Sequence, residues 1–98
     1  MATFISTAKF TEQGIKAIGK TTQRAAALKS AAKKLGIKIT DVYWTLGAFD
    51  AMLIMEAPDD ETAAAFLFKV GSQGNVSTTT VRAFNAAEMD QILSRIGS

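Results

Sequence analysis

The sequence predicts an α+β domain of the ferredoxin-like βαββαβ kind: a four-stranded antiparallel sheet, two helices on one face, and an extra C-terminal helix. Three observations predict it. Segments with apolar periodicity of two and of three to four follow one another in that order. The second and third strand-like segments are separated by a connection short enough to make them an antiparallel hairpin. Right-handed crossovers then place both long helices on the same side of the sheet, with the first and third strands central.

Each element has its own local cause. Thr3 to Phe10 is rich in β-branched and aromatic residues and reads as the first strand. Thr11 fits an N-cap. Ile15, Ile18, Thr22, Ala25, Leu28, Ala32 and Leu35 then recur at steps of three and four, one stripe along a helix, with Lys16, Lys20, Lys29, Lys33 and Lys34 on its other faces. Gly36 stands where a glycine closes a helix, and Gly19 weakens the middle enough for a break near residues 20–22. Ile37 to Leu46 alternates as the second strand, with Val42, Trp44 and Leu46 on one side and Tyr43 and Thr45 on the other. Gly47-Ala48-Phe49 turns the chain into the third strand, Asp50 to Ala57. Pro58-Asp59-Asp60-Glu61 opens the second long helix with carboxylates at its positive end. Ala63, Phe66, Leu67 and Val70 form its apolar stripe, and residues 71–74 stop it. Asn75 to Phe84 is the fourth strand, whose polar centre, Ser77 to Thr80, suits a sheet edge. Asn85 and Glu88 are spaced as a capping box ahead of a short amphipathic helix carrying Met89, Ile92, Leu93 and Ile96.

Composition narrows the function classes. Ninety-eight residues make one domain, 1–98. With neither cysteine nor histidine, the chain offers no disulfide and no zinc site of the usual thiolate or imidazole type, and nothing in it calls for a metal or a cofactor. Met1 to Thr7 is too polar for a signal peptide, and the longest wholly apolar run, Ala51 to Met55, is far short of a membrane span. A reducing cytoplasm is the expected compartment. Net charge is only +2, but eight basic residues and one acid lie between Lys9 and Lys38, while eight acids and three basic residues follow Ile39. That asymmetry gives one basic helix on an acidic body.

The third strand carries the main inference. Met52 and Ile54 face one way and Leu53 and Met55 the other, so the strand is apolar on both faces. Two crossover helices cover one face only. Leaving the other wet forfeits about 1.5–3 kcal/mol per large side chain, which a small domain can ill tolerate. A homo-oligomer, a dimer first of all, is therefore expected, with Trp44, Leu53 and Met55 as candidate interface residues.

Several motifs invite chemistry. Gly14 to Thr21 spells a Walker A phosphate loop. Such a loop must be open, whereas these residues sit in a helical pattern, so the match is one of spelling. Base-stacking RNA modules share this topology but need aromatics on both central strands. Here Phe4 has only methionine and aliphatics as third-strand company, and nucleic acid is not an expected partner. Asp59, Asp60 and Glu61 are accounted for by a helix start. Residues 72–75 form a loop able to hold an anion on backbone amides, although a plain helix stop explains them as well. Asp50 and Arg82 are expected near the same end of the sheet, as an ion pair or at a pocket. The candidate ligand-binding residues are thus Tyr43, Phe49, Asp50, Gly71, Gly74, Asn75 and Arg82, and no catalytic residue is assigned.

Residues 44–50 (Trp-Thr-Leu-Gly-Ala-Phe-Asp), 56–61 (Glu-Ala-Pro-Asp-Asp-Glu), 71–76 (Gly-Ser-Gln-Gly-Asn-Val) and 82–84 (Arg-Ala-Phe) together resemble the GYD-domain family over nearly the whole chain. This family consists of small prokaryotic proteins of uncharacterised function, similar in fold to dimeric α/β barrels. Of the Gly-Tyr-Asp signature, Gly47 and Asp50 stand, while Phe49 takes the tyrosine position with altered spacing, so a phenolic hydroxyl is absent there. The resemblance transfers no catalytic residue; because these motifs cluster in loops rather than in core, the expectation is an oligomeric domain that binds a small molecule or a protein partner without catalysis, with a pocket near the hairpin and residues 71–75. The alternative it leaves open is a cofactor-independent oxygenase or isomerase of the dimeric α/β-barrel type, in which Asp50, Tyr43 and Arg82 would have to serve.

Overall fold

The computed structural model describes residues 1–97. Strand β1 (Ala2–Phe10) leads into a short helix α1 (Glu12–Lys16), a 3₁₀ turn (Ile18–Lys20) and helix α2 (Thr21–Lys34). Strands β2 (Lys38–Trp44) and β3 (Ala51–Ala57) follow, then helix α3 (Asp60–Ser72), strand β4 (Val76–Ala83) and helix α4 (Ala86–Arg95). The sheet runs β2-β3-β1-β4, antiparallel throughout, which is the ferredoxin-like order expected. The caps are those the sequence marks. Thr11, Asp59 and Asn85 each accept from the backbone amide three residues on, and Glu88 returns the bond to Asn85. Gly36, with φ 78°, closes α2.

Residues paired across an antiparallel ladder share a face, so the register sorts the sheet into rows. On the helix-covered face the rows are Ile39-Met55-Phe4-Arg82, Val42-Leu53-Ser6-Thr80 and Trp44-Ala51-Ala8-Thr78. On the opposite face they are Asp41-Ile54-Ile5-Val81 and Tyr43-Met52-Thr7-Thr79. A bulge at Thr40 lets Ile39 and Val42, three residues apart, lie on one face. The core is Phe4, Met55 and Ala57 of the sheet beneath Ala32 of α2 and Ala63, Phe66 and Val70 of α3, with Ile37.

Two expectations are corrected here. Leu53 and Met55 are not on the uncovered face. Met55 is 0% exposed in the core, and Leu53 packs against it, because the helices settle over the parity that also buries Phe4 and Ser6. Nor does a single stripe run from Ile15 to Leu35. The 3₁₀ turn resets the helical phase, so Ala25, Leu28 and Ala32 turn inward while Ile15, Ile18 and Leu35 are exposed.

Candidate functional site

A hollow lies between the sheet and the helices because small side chains occupy the centre of one row. Beyond the bulky Met55-Phe4 row and the Leu53-Ser6 row beside it, Ala51 and Ala8 leave space under α2 and the end of α3. The resulting cavity is about 100 Å³. Leu28 and Ala25 roof it, Val42, Leu53 and Trp44 wall it, and Ser6, Ala8 and Thr78 floor it, with Gln73 and Asn75 at the α3 end. Trp44 is held by its indole N–H, which donates to Thr21 Oγ1 at 3.0 Å. Ser6, 2% exposed, accepts from Thr80 Oγ1 at 2.9 Å. Arg24, half-buried, donates from Nη2 to the carbonyls of Gly14 (3.2 Å) and Ala17 (3.1 Å), which fixes the guanidinium at the α1 end of the cavity.

The structure brings only Asn75 of the candidate ligand residues to this lining, together with Trp44, which had been placed among the interface residues. Tyr43 lies instead on the uncovered sheet face, 54% exposed beside Met52. The two neighbouring aromatics thus lie on the faces opposite to those expected. Asp50 spends its carboxylate on the amide of Phe10 (2.8 Å), while its backbone continues both neighbouring ladders. Arg82 is not near it. Ala8, which accepts from the Asp50 amide, pairs with Thr78, and Arg82 stands four residues, about 13 Å, further along β4. The Arg82 guanidinium instead lies over the rings of Phe84 (4.6 Å) and Phe4 (5.7 Å) and 3.7 Å from Glu88. It braces the start of α4. Phe49 is half-buried in the hairpin, its carbonyl accepting from Thr45 Oγ1 at 2.7 Å. Gly71 lies within α3 with open space at its Cβ position.

The 72–75 segment offers carbonyls rather than a nest of amides. Gln73 N and Gly74 N bond back to the end of α3, while the carbonyls of Gln73, Gly74 and Asn75 accept from Gln13 Nε2 (3.0 Å), Thr11 Oγ1 (2.5 Å) and Thr11 N (3.1 Å). The loop is thereby zipped to α1. Gly14 explains the first glycine of the Walker-like string: a Cβ there would fall 1.9 Å from the Asn75 carbonyl oxygen. Residues 14–20 are helix and 3₁₀ turn, not an open loop. The carboxylate of Asp59 is held below its ordinary value by the hydroxyl and amide of Thr62, a capping interaction. Among the described residues there is no cluster of three or more metal-ligating His, Cys, Asp or Glu side chains, and no helix is long and apolar enough to cross a membrane.

Two apolar surfaces remain open. The uncovered sheet face carries Ile5, Met52, Ile54, Tyr43 and Val81. Helix α4 makes sparse contact with the rest of the described chain and shows solvent Met89, Leu93 and Ile96, the last 70% exposed. The radius of gyration, 14.9 Å, exceeds the roughly 13 Å of a compact chain of this length.

Sequence reasoning missed Arg24 and Ser6. The available signal was a hydroxyl at the inward parity of the central strand, between Phe4 and Ala8, and a cation beside the inward Ala25 and Leu28.

Comparison with known proteins adds three findings. The model of the GYD domain family matches residues 4–93. A Thermus thermophilus protein named glutamine synthetase and cystathionine beta-lyase binding protein is 28% identical over 90 residues, spanning 91% of this chain and 95% of that one. The crystal structure of FFRP-DM1 matches with a TM-score of 0.63 at 16% identity, over 86% of this chain and all of that one, a likeness of fold.

Proposed function

The chain belongs to the GYD domain family, and on that premise we propose that it is a non-catalytic protein-binding domain that works as a homodimer in the cytoplasm. The observation that carries this reading is the pair of open apolar surfaces. A sheet face with Ile5, Ile54 and Val81 across its centre gains by meeting the same face of a second copy, since a two-fold contact makes every favourable pairing twice and covers both copies of the patch at once. Helix α4, which makes sparse contact with the rest of the described chain, supplies a second apolar stripe for the same neighbour. The relative named for binding glutamine synthetase and cystathionine beta-lyase supports a protein as the further partner. The hairpin end, where Leu46 is fully exposed and Ile15 and Ile18 stand at the same end of the sheet, gives that partner an apolar foothold.

The cavity does not favour catalysis. Its lining carries hydroxyls, amides and one guanidinium, groups that orient a ligand without abstracting a proton near neutral pH. Light scattering coupled to size exclusion should give twice the chain mass. Calorimetric titration with purified glutamine synthetase and cystathionine beta-lyase should show saturable binding to at least one of them. A single-copy mass at high concentration overturns the dimer, and silence with both enzymes overturns the protein-partner reading.

A further inference from the structure

We propose that the cavity under α2 and α3 binds a small monocarboxylic acid with a compact apolar body, its carboxylate on Arg24. This goes beyond the protein-binding reading and does not depend on it.

The walls set the body. Leu28, Val42, Leu53 and Trp44 present hydrocarbon and an indole face, so what enters must shed water cheaply. The volume sets the size. At about 100 Å³ the hollow is smaller than the roughly 150 Å³ apolar cavity that holds benzene. It therefore takes most but not all of a body of about five or six carbons, and the polar head stays at the open edge with the carbons nearest to it.

Arg24 sets the head. Its Nη2 hydrogens are committed to Gly14 and Ala17, which fixes the plane of the guanidinium and leaves Nε and Nη1 without a protein acceptor among the described residues. No acid lies within salt-bridge distance of it; the ion pairs of the described residues are Lys16–Glu12 and Arg82–Glu88. A half-buried guanidinium without a counter-ion, on the lining of an apolar hollow, is complementary to a carboxylate, which takes one charge-assisted N–H bond from Nε or Nη1, both forked edges being closed by the commitment of Nη2. The lining holds no aspartate or glutamate, so an ammonium group finds no partner, and an amine or a zwitterion binds worse than the simple acid.

The test is a titration of the full chain, labelled with ¹⁵N and methyl-¹³C, with benzoate and 4-methylpentanoate at millimolar concentrations. Benzamide and benzylamine serve as the uncharged and cationic controls. At least one acid should produce saturable shifts of the Trp44 indole N–H and the Leu28 and Val42 methyls, with both controls weaker by about tenfold or more. Arg24→Met should weaken the acid by about the same factor and leave benzamide unchanged. Because that substitution also removes the cap on the Gly14 and Ala17 carbonyls, Ala8→Val provides the independent check. It keeps Arg24, fills the hollow from the floor, and should melt no lower than the parent while losing the acid-induced shifts. Benzamide matching benzoate, no saturable shift with either acid, or undiminished binding by Ala8→Val overturns the proposal.

Discussion

Replacing Gly14 with alanine tests whether a tertiary contact or helix propensity decides this position. Propensity alone predicts a gain, since alanine is favoured over glycine inside a helix by about 1 kcal/mol. The structure predicts the opposite sign. The new Cβ would meet the Asn75 carbonyl oxygen at 1.9 Å, a distance no real contact shows, and backbone cannot rotate aside. Either α1 or the 73–75 loop must withdraw. Withdrawal breaks the part-buried bond from Thr11 Oγ1 to Gly74 and the amide bond from Thr11 to Asn75, along with the exposed Gln13 bonds to Gln73 and Asn75. Two part-buried bonds at about 1 kcal/mol each and two exposed ones at about half that sum to about 3 kcal/mol. After the propensity gain, the net loss is about 2 kcal/mol, or on the order of 8–16 °C in melting temperature for a domain of this size. Gly71→Ala is the control: that glycine is also helical, yet nothing lies within 4 Å of its Cβ position, so the variant should be as stable as the parent or slightly more so. Thermal and urea melts followed by circular dichroism read both. Gly14→Ala melting at or above the parent would sink the close-approach reasoning.

Three further outcomes are expected. Ile5→Arg plants an unpaired cation at the centre of the uncovered face, among Ile54 and Val81. It should weaken self-association by two orders of magnitude or more, about 3 kcal/mol, with an unchanged far-ultraviolet spectrum; light scattering that still reports a dimer refutes that face as the contact. Arg82→Ala loses its aromatic stacking and a partly screened ion pair with Glu88, about 1 kcal/mol in urea unfolding, and should leave the Trp44 environment untouched at the other end of the sheet. Asp59 has a depressed folded pKa, so its contribution is present above the unfolded value and fades as pH falls through the folded one, a window below about pH 4. Asp59→Asn, which caps comparably, should match the parent at neutral pH and lose less of its melting temperature in acid; identical acid slopes refute the assignment.

The fold was legible because its cues are local and redundant. Each cap residue sits beside an apolar run, and the polar Ser77–Thr80 stretch could belong only at an edge. What lay under the helices was not legible, because parity separates the two faces of a strand without saying which face is covered. Leu53 and Met55 were assigned to the wrong side for that reason alone. Arg82 and Asp50 were paired because register cannot be counted until both neighbours of β1 are known. The cavity depends on two alanines, Ala8 and Ala51, that meet across a ladder from positions 43 residues apart, and neither is conspicuous alone.

The bulge at Thr40 is the exception, a tertiary feature with a visible trace. Ile37 and Ile39 are apolar at odd positions, Val42 and Trp44 at even ones, so the alternation slips by one between them. A strand in strict register would send Ile39 and Trp44 to opposite faces. The structure keeps both inward by pairing Ile39 with Met55 and Asp41 with Ile54, leaving Thr40 as the extra residue. Deleting Thr40 therefore closes the ladder rather than flipping it. Lys38 still meets Glu56, Ile39 still meets Met55, and the hairpin end stays pinned by the Thr45 amide on the Asp50 carbonyl. The loss is one exposed bond, Thr40 Oγ1 to the Ile54 carbonyl, about 0.5–1 kcal/mol. The deletion variant should fold and keep the parent's tryptophan emission, since Trp44 remains against Thr21. Deleting Thr40 and Asp41 together takes one residue too many, makes Ile39 and Val42 neighbours and turns Ile39 or Trp44 outward, which should shift that emission to the red or unfold the domain. If the two deletions behave alike, Thr40 is not a spare residue, and the placement of Trp44 over the cavity loses its structural cause.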